Sequence, residues 1–106
     1  MPILAQSSPG GGSLTLLYKV PAFKTASLSG FIVCNRDTAD TSWRLSIAKN
    51  GESDHAAQYL YFDTRIPKNE SSINSLDFDL EGGDEVRVYA AGTKVSFNLF
   101  GVISPP

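Results

Sequence analysis

Two residues of the chain carry the side chains most used for nucleophilic chemistry, and each occurs once: Cys34 and His55. A thiol becomes a nucleophile when a base lies within hydrogen-bond reach and a third group orients that base. Asp54, beside His55, is the only orienter that the sequence itself suggests. The setting of the two residues argues against the pair. Cys34 follows Phe31-Ile32-Val33 at the end of an apolar run, where a free cysteine packs as a small hydrophobe. His55 stands in the polar segment KNGESDH, a solvated hairpin loop.

Metal chemistry fares no better. A zinc site takes three or four Cys, His or carboxylate ligands, and one Cys and one His far apart do not supply them. Oxygen ligands for calcium exist at Asp37 and Asp40 and at Asp77, Asp79, Glu81, Asp84 and Glu85, without the EF-hand order. Asp77 and Asp79 alternate with Leu76, Phe78 and Leu80, as on the wet face of a strand. The runs GGG and EGGD lack the spacing and the strand-to-helix setting of a phosphate loop. The expectation is a chain with no catalytic, cofactor or metal residues.

The elements that surround these residues are β-strands. The chain has 106 residues, 42% of them hydrophobic and 19% charged, the make-up of one ordinary globular domain. Nine Lys and Arg against eleven Asp and Glu leave a net charge of -2, with none of the basic footprint of a nucleic-acid binder. A single cysteine rules out an internal disulfide. No apolar run approaches the ~20 residues of a membrane span, and the N-terminus lacks the pattern of a secretory signal. A protein made in a cytoplasm is expected.

From residue 14 onward, β-branched and aromatic runs alternate with turn signals, the pattern of a sandwich or barrel. Strands are expected at 14–20, 26–35, 42–48, 57–63, 73–80, 85–91 and 94–102. Residues 31–34 are apolar at both parities and therefore expected to be covered on both faces. Asn50-Gly51 is a strong hairpin signal. The last two strands are expected to form a hairpin, with Arg87, Tyr89, Asn98 and Phe100 on its outer face as a contact surface. The fold class is thus all-β, an antiparallel sandwich of seven or eight strands, jelly-roll-like or immunoglobulin-like. Residues 1–13, rich in Ser, Pro and Gly, are expected to be a flexible arm, with Ile3 and Leu4 as an apolar anchor for a neighbour. Residues 14–103 form the domain and 104–106 a short tail.

The order of the motifs resembles a family of small virion structural proteins of tailed bacteriophages. It is carried by Val20-Pro21-Ala22, by Cys34-Asn35-Arg36 at a strand-to-loop junction, by Gly83-Asp84, by Val86-Arg87-Val88-Tyr89-Ala90 and by Ser96-Phe97-Asn98-Leu99-Phe100-Gly101. The resemblance runs over 16–102, and the individual motifs are strand and turn chemistry. It implies a virion component with no enzyme activity: a capsid decoration (cement) protein, or an accessory of the tail or neck. The arm and the free-standing length favour the decoration protein, which would bind the major capsid protein and its own copies, as a homotrimer. Arg36 is then a candidate contact to a neighbouring subunit. The alternative is a tail module that binds a receptor or glycan through Tyr59, Tyr61, Tyr89 and Phe100.

Overall fold

The computed structural model describes residues 3–104, so Met1, Pro2, Pro105 and Pro106, at the tips of the expected arm and tail, lie outside the described residues. Eight strands follow one another: β1 (Ile3–Ser7), β2 (Thr15–Lys19), β3 (Thr25–Asn35), β4 (Thr41–Ala48), β5 (Tyr59–Ile66), β6 (Ser71–Glu81), β7 (Glu85–Ala90) and β8 (Val95–Ser104). Short 3-10 turns at Lys49–Gly51 and Ala56–Gln58 interrupt the connection from β4 to β5.

The strands form two antiparallel four-stranded sheets, in the orders β1-β8-β3-β6 and β2-β7-β4-β5. The pairing follows one rule: β1 with β8, β2 with β7, β3 with β6, and β4 with β5. These are the rungs of one long nested hairpin. Rolling it up adds the ladders β3–β8 and β4–β7 and closes two sheets. That is jelly-roll winding, and it excludes the immunoglobulin order.

Alternation along the strands places the core between the sheets. Phe31, Val33, Phe97 and Leu99 from one sheet meet Trp43, Leu45, Val86 and Val88 from the other, all at most 1% exposed. Phe31 lies edge-on to Trp43 with ring centroids 5.3 Å apart and an interplanar angle of 82°, and Tyr61 completes the cluster 4.9 Å from Trp43. Such aromatic contacts stabilise beyond the area they bury. The inward parities read from the sequence for β6, β7 and β8 hold, although Phe78 is only half-buried.

Three expectations are corrected. Residues Ile3–Ser7 are not a free arm but an outer strand paired with β8, Gln6 opposite Asn98 and Ser7 opposite Phe97. The glycine-rich run after it is a docked loop. A Cβ on Gly11, at φ +87, would stand 2.7 Å from the Gly92 carbonyl oxygen, so only glycine allows this approach. Second, β7 and β8 are not a hairpin, because they lie in different sheets. Third, the segment 31–34 is covered on one face only: Phe31 and Val33 are buried, while Ile32 and Cys34 are partly exposed.

Replacing Phe97 with alanine is expected to lower the unfolding free energy by about 3–5 kcal/mol. Urea denaturation measures it, and a loss below about 1 kcal/mol would place Phe97 outside the core.

Candidate interaction surfaces

Cys34-Asn35-Arg36 ends β3, and the structure divides its three residues between different tasks. Cys34 sits on the outer face of its sheet, opposite Ser96 and Ser71. His55 lies in the connection that follows β4, at the other end of the sandwich, so the two are not brought together. Asn35 points inward at 1% exposure. Its Nδ2 donates to the carbonyls of Ala39 (2.9 Å), Pro67 (3.2 Å) and Ile66 (3.3 Å), and its Oδ1 accepts from the Asp37 amide (3.0 Å). This one side chain ties two loops together and satisfies its own buried polar atoms. Arg36 donates from NH2 to Ser8 Oγ at 3.0 Å, a bond within the chain.

Two of the acidic candidates, Asp40 and Asp84, are engaged by the chain's own groups. Asp40 accepts from the Arg65 guanidinium and from the Lys68 amide. Asp84, 2% exposed, accepts from the Asn50 amide (2.8 Å), the Glu81 amide (2.9 Å) and Lys49 Nζ (3.2 Å). Burial pushes the Asp84 carboxyl up, but these bonds outweigh it and hold the group below the usual carboxylate range. Among the described residues, no group of three or more His, Cys, Asp or Glu is placed to hold a metal ion.

Because β7 and β8 belong to different sheets, the expected contact surface splits in two. Arg87 and Tyr89 face outward from one sheet, Asn98 and Phe100 from the other. Around the first pair, Arg44 stacks between two rings, its Cζ 4.0 Å from the centroid of Phe62 and 4.4 Å from that of Tyr89. Its Nε donates to Asp63 Oδ1 at 2.6 Å. A bulge makes this possible: Phe62 and Asp63 together oppose Arg44, with Asp63 at φ 49. Tyr59 stands edge-on to Phe62, 5.1 Å away, and Arg87 is held by Glu85. Tyr61, by contrast, is in the core against Phe31 and Trp43. Arg44 thus lies over part of this face, while Phe62 at 56% and Leu16 at 51% exposure stay open beside it.

The outer face of the β1-β8-β3-β6 sheet is different. Its cross-strand rows read Ser96-Cys34-Ser71, Gln6-Asn98-Ile32-Ile73 and Ile3-Phe100-Gly30-Ser75. None of these residues is charged. Ile73 is 80% exposed and Ile3 51%, and the next row, Val102-Ser27-Asp79, adds an exposed valine and an exposed carboxylate. Gln6 Nε2 donates to Asn98 Oδ1 at 2.6 Å, so the polar members of the middle row bond to each other. Ile3 therefore belongs to this face through its strand. Leu4 turns inward and packs on the core, close to Gly101.

Sequence reasoning missed Ile32 as a surface residue, because a strand apolar on both sides reads as doubly buried, and it did not single out Ile73, which shares the outward parity of Asp77 and Asp79 on β6. It also missed Phe23. The turn from β2 to β3 closes with the Lys24 amide donating to the Pro21 carbonyl at 3.2 Å, and it places Phe23 at φ 64. That is the third position of a turn that ordinarily takes glycine or asparagine. The ring is 84% exposed. A bulky residue in this conformation costs about 1–2 kcal/mol. Gly82 wedges the turn in place, since a Cβ there would lie 3.0 Å from Phe23 N and from the Pro21 oxygen.

Asp84 yields a pH prediction. Its folded pKa is depressed, so its contribution to stability is full above the unfolded value of about 3.9 and is lost as pH falls through the folded value. Asp84→Asn is expected to lose roughly 1–3 kcal/mol at pH 7 and to fall less steeply in acid than the parent. Urea unfolding across pH 7 to 2.5 tests this, and a deficit that is the same at every pH would contradict it.

Comparison of the chain with protein-family models, with curated proteins and with solved structures finds no match in any of the three.

Proposed function

We propose that the chain is a structural subunit of a tailed-phage virion, a capsid decoration (cement) protein that binds the major capsid protein and its own copies. The role is architectural and not catalytic, and the place of action is the virion, assembled in the host cytoplasm. One observation carries the reading: on the outer face of the β1-β8-β3-β6 sheet, three successive uncharged rows leave Ile3 and Ile73 exposed and Ile32 and Phe100 partly so, with Asp79 one row beyond them. Exposed apolar side chains grouped on one face mark a contact with another macromolecule. The jelly-roll frame supports the reading as an analogy of fold, since capsid domains use this winding.

A second reading, an accessory of the tail, neck or baseplate that binds a receptor or glycan, is favoured by a different observation. Arg44, Tyr59, Phe62 and Tyr89 form a preorganised aromatic and guanidinium surface on the opposite sheet. Aromatic rings and fixed polar groups are the chemistry by which sugars are held.

Ile73→Lys sets a charge among the uncharged rows of this face at a residue that the core does not use. The variant is expected to keep its stability within about 0.5 kcal/mol and to lose co-sedimentation with purified heads. Finding the protein in purified tails and not in emptied heads would overturn the decoration reading. Binding on a glycan array that disappears in Arg44→Ala would establish the second one.

A further inference from the structure

Phe23 is a rigid apolar knob, and the same molecule carries a cleft that suits it. The cleft, of about 330 Å³, opens between the outer strands β5 and β6 and is lined by Ile47, Leu60, Phe78 and Leu80. Leu60 is there because of a bulge: Ser46 pairs with Tyr59 and Leu45 with Tyr61, so Leu60 is the extra residue and its side chain is turned out of the ladder, 47% exposed. Asp79 stands exposed at the rim of the cleft. The other charge at the rim, Lys49, is engaged by Asp84 at 3.2 Å. On the knob side, exposed Lys19 and Lys24 flank Phe23.

An exposed ring and an apolar cleft suit each other in shape, and exposed Lys24 beside the ring is opposite in sign to Asp79 at the cleft, with Glu81 also near the ring and Lys49 near the cleft. Both features lie at the same end of the sandwich: the β2–β3 turn that carries Phe23 packs on Gly82, just beyond the β6 strand whose Phe78 and Leu80 line the cleft. An isolated copy leaves both unmatched. It also keeps Phe23 in a conformation that glycine would hold without strain.

We propose that Phe23 of one copy seats in the Ile47, Leu60, Phe78 and Leu80 cleft of a neighbouring copy, with Lys24 facing Asp79 across the contact. The contact is head-to-tail, so each copy offers one free knob and one free cleft, and repetition about an axis closes a ring. The inference rests on the self-association in the proposed function and not on the virion. The variants differ as well, since Ile73 lies on another surface.

Sedimentation of the purified protein is the test. The parent is expected to be an oligomer whose association depends on concentration. Phe23→Gly removes the ring at a position where glycine is at ease, so it is expected to melt no lower than the parent while its association weakens by about 30-fold or more. Lys24→Glu is expected to weaken association and Lys24→Glu with Asp79→Lys to restore it. A parent that stays monomeric at the highest soluble concentration would overturn the proposal. So would a Phe23→Gly variant that sediments like the parent.

Discussion

The packing of Phe31 against Trp43 across the sandwich is the contact on which the rest of the structure depends. Phe31 sits on β3 and Trp43 on β4, strands that run inside their sheets and not at the edges, and only eleven positions separate the two residues. Residues 36–40 alone connect the two strands from one sheet to the other, so the closure entropy of this loop is modest. Once the two rings meet, each central strand offers both of its edges. β6 and β8 add to β3, and β5 and β7 add to β4. The remaining pairs, β1 with β8 and β2 with β7, join residues far apart in the chain and depend on partners already in place.

Two buried polar side chains then fix the ends of the sandwich. Asn35 binds the loops at 36–40 and 67–70, and Asp84 binds the turns at 49–51 and 81–84. Each satisfies backbone groups that a tight connection between sheets leaves without a ladder partner. Holding both ends rigid has a consequence for the surface. The turn that carries Phe23 is tied to this frame, with the Val20 amide donating to the Asp84 carbonyl at 3.0 Å and the Gly83 amide to the Val20 carbonyl at 3.0 Å. A strained, exposed ring survives there because its surroundings are over-determined.

The two outer faces solve the same problem in different ways. On the β2-β7-β4-β5 sheet, Arg44 lies over Phe62 and Tyr89, so aromatic surface is covered by a charge that stays hydrated. Bulges at Leu60 and at Phe62-Asp63 break the regularity of β5, an outer strand, and discourage pairing with foreign strands. The β1-β8-β3-β6 sheet leaves Ile73 exposed and Ile32 partly so. One face thus has a guanidinium over part of its aromatic surface, while the other presents Ile3 and Ile73 among uncharged neighbours.

Much of this was legible in the residues alone. Period-two alternation assigned Val86, Val88, Val95, Phe97 and Leu99 to the core, because a pleated strand sends successive side chains to opposite faces whatever its partners are. Turn chemistry at Asn50-Gly51 and Gly83 was readable for the same local reason, and all three residues have positive φ. What local rules could not supply was which strand pairs with which. Residues 85–102 look like a hairpin, yet the four residues between β7 and β8 cross from one sheet to the other, which separates Arg87 and Tyr89 from Asn98 and Phe100. Ile3–Ser7 becomes a strand only because β8 offers it an open edge, so its composition misleads. Doubly apolar β3 reads as buried on both sides, and only the tertiary fold reveals that Ile32 lies on an outer face and is only partly covered. The strands and their inward faces follow from interactions over a few residues. Pairing, loop docking and the bare face follow from contacts between distant segments, which composition and periodicity do not encode.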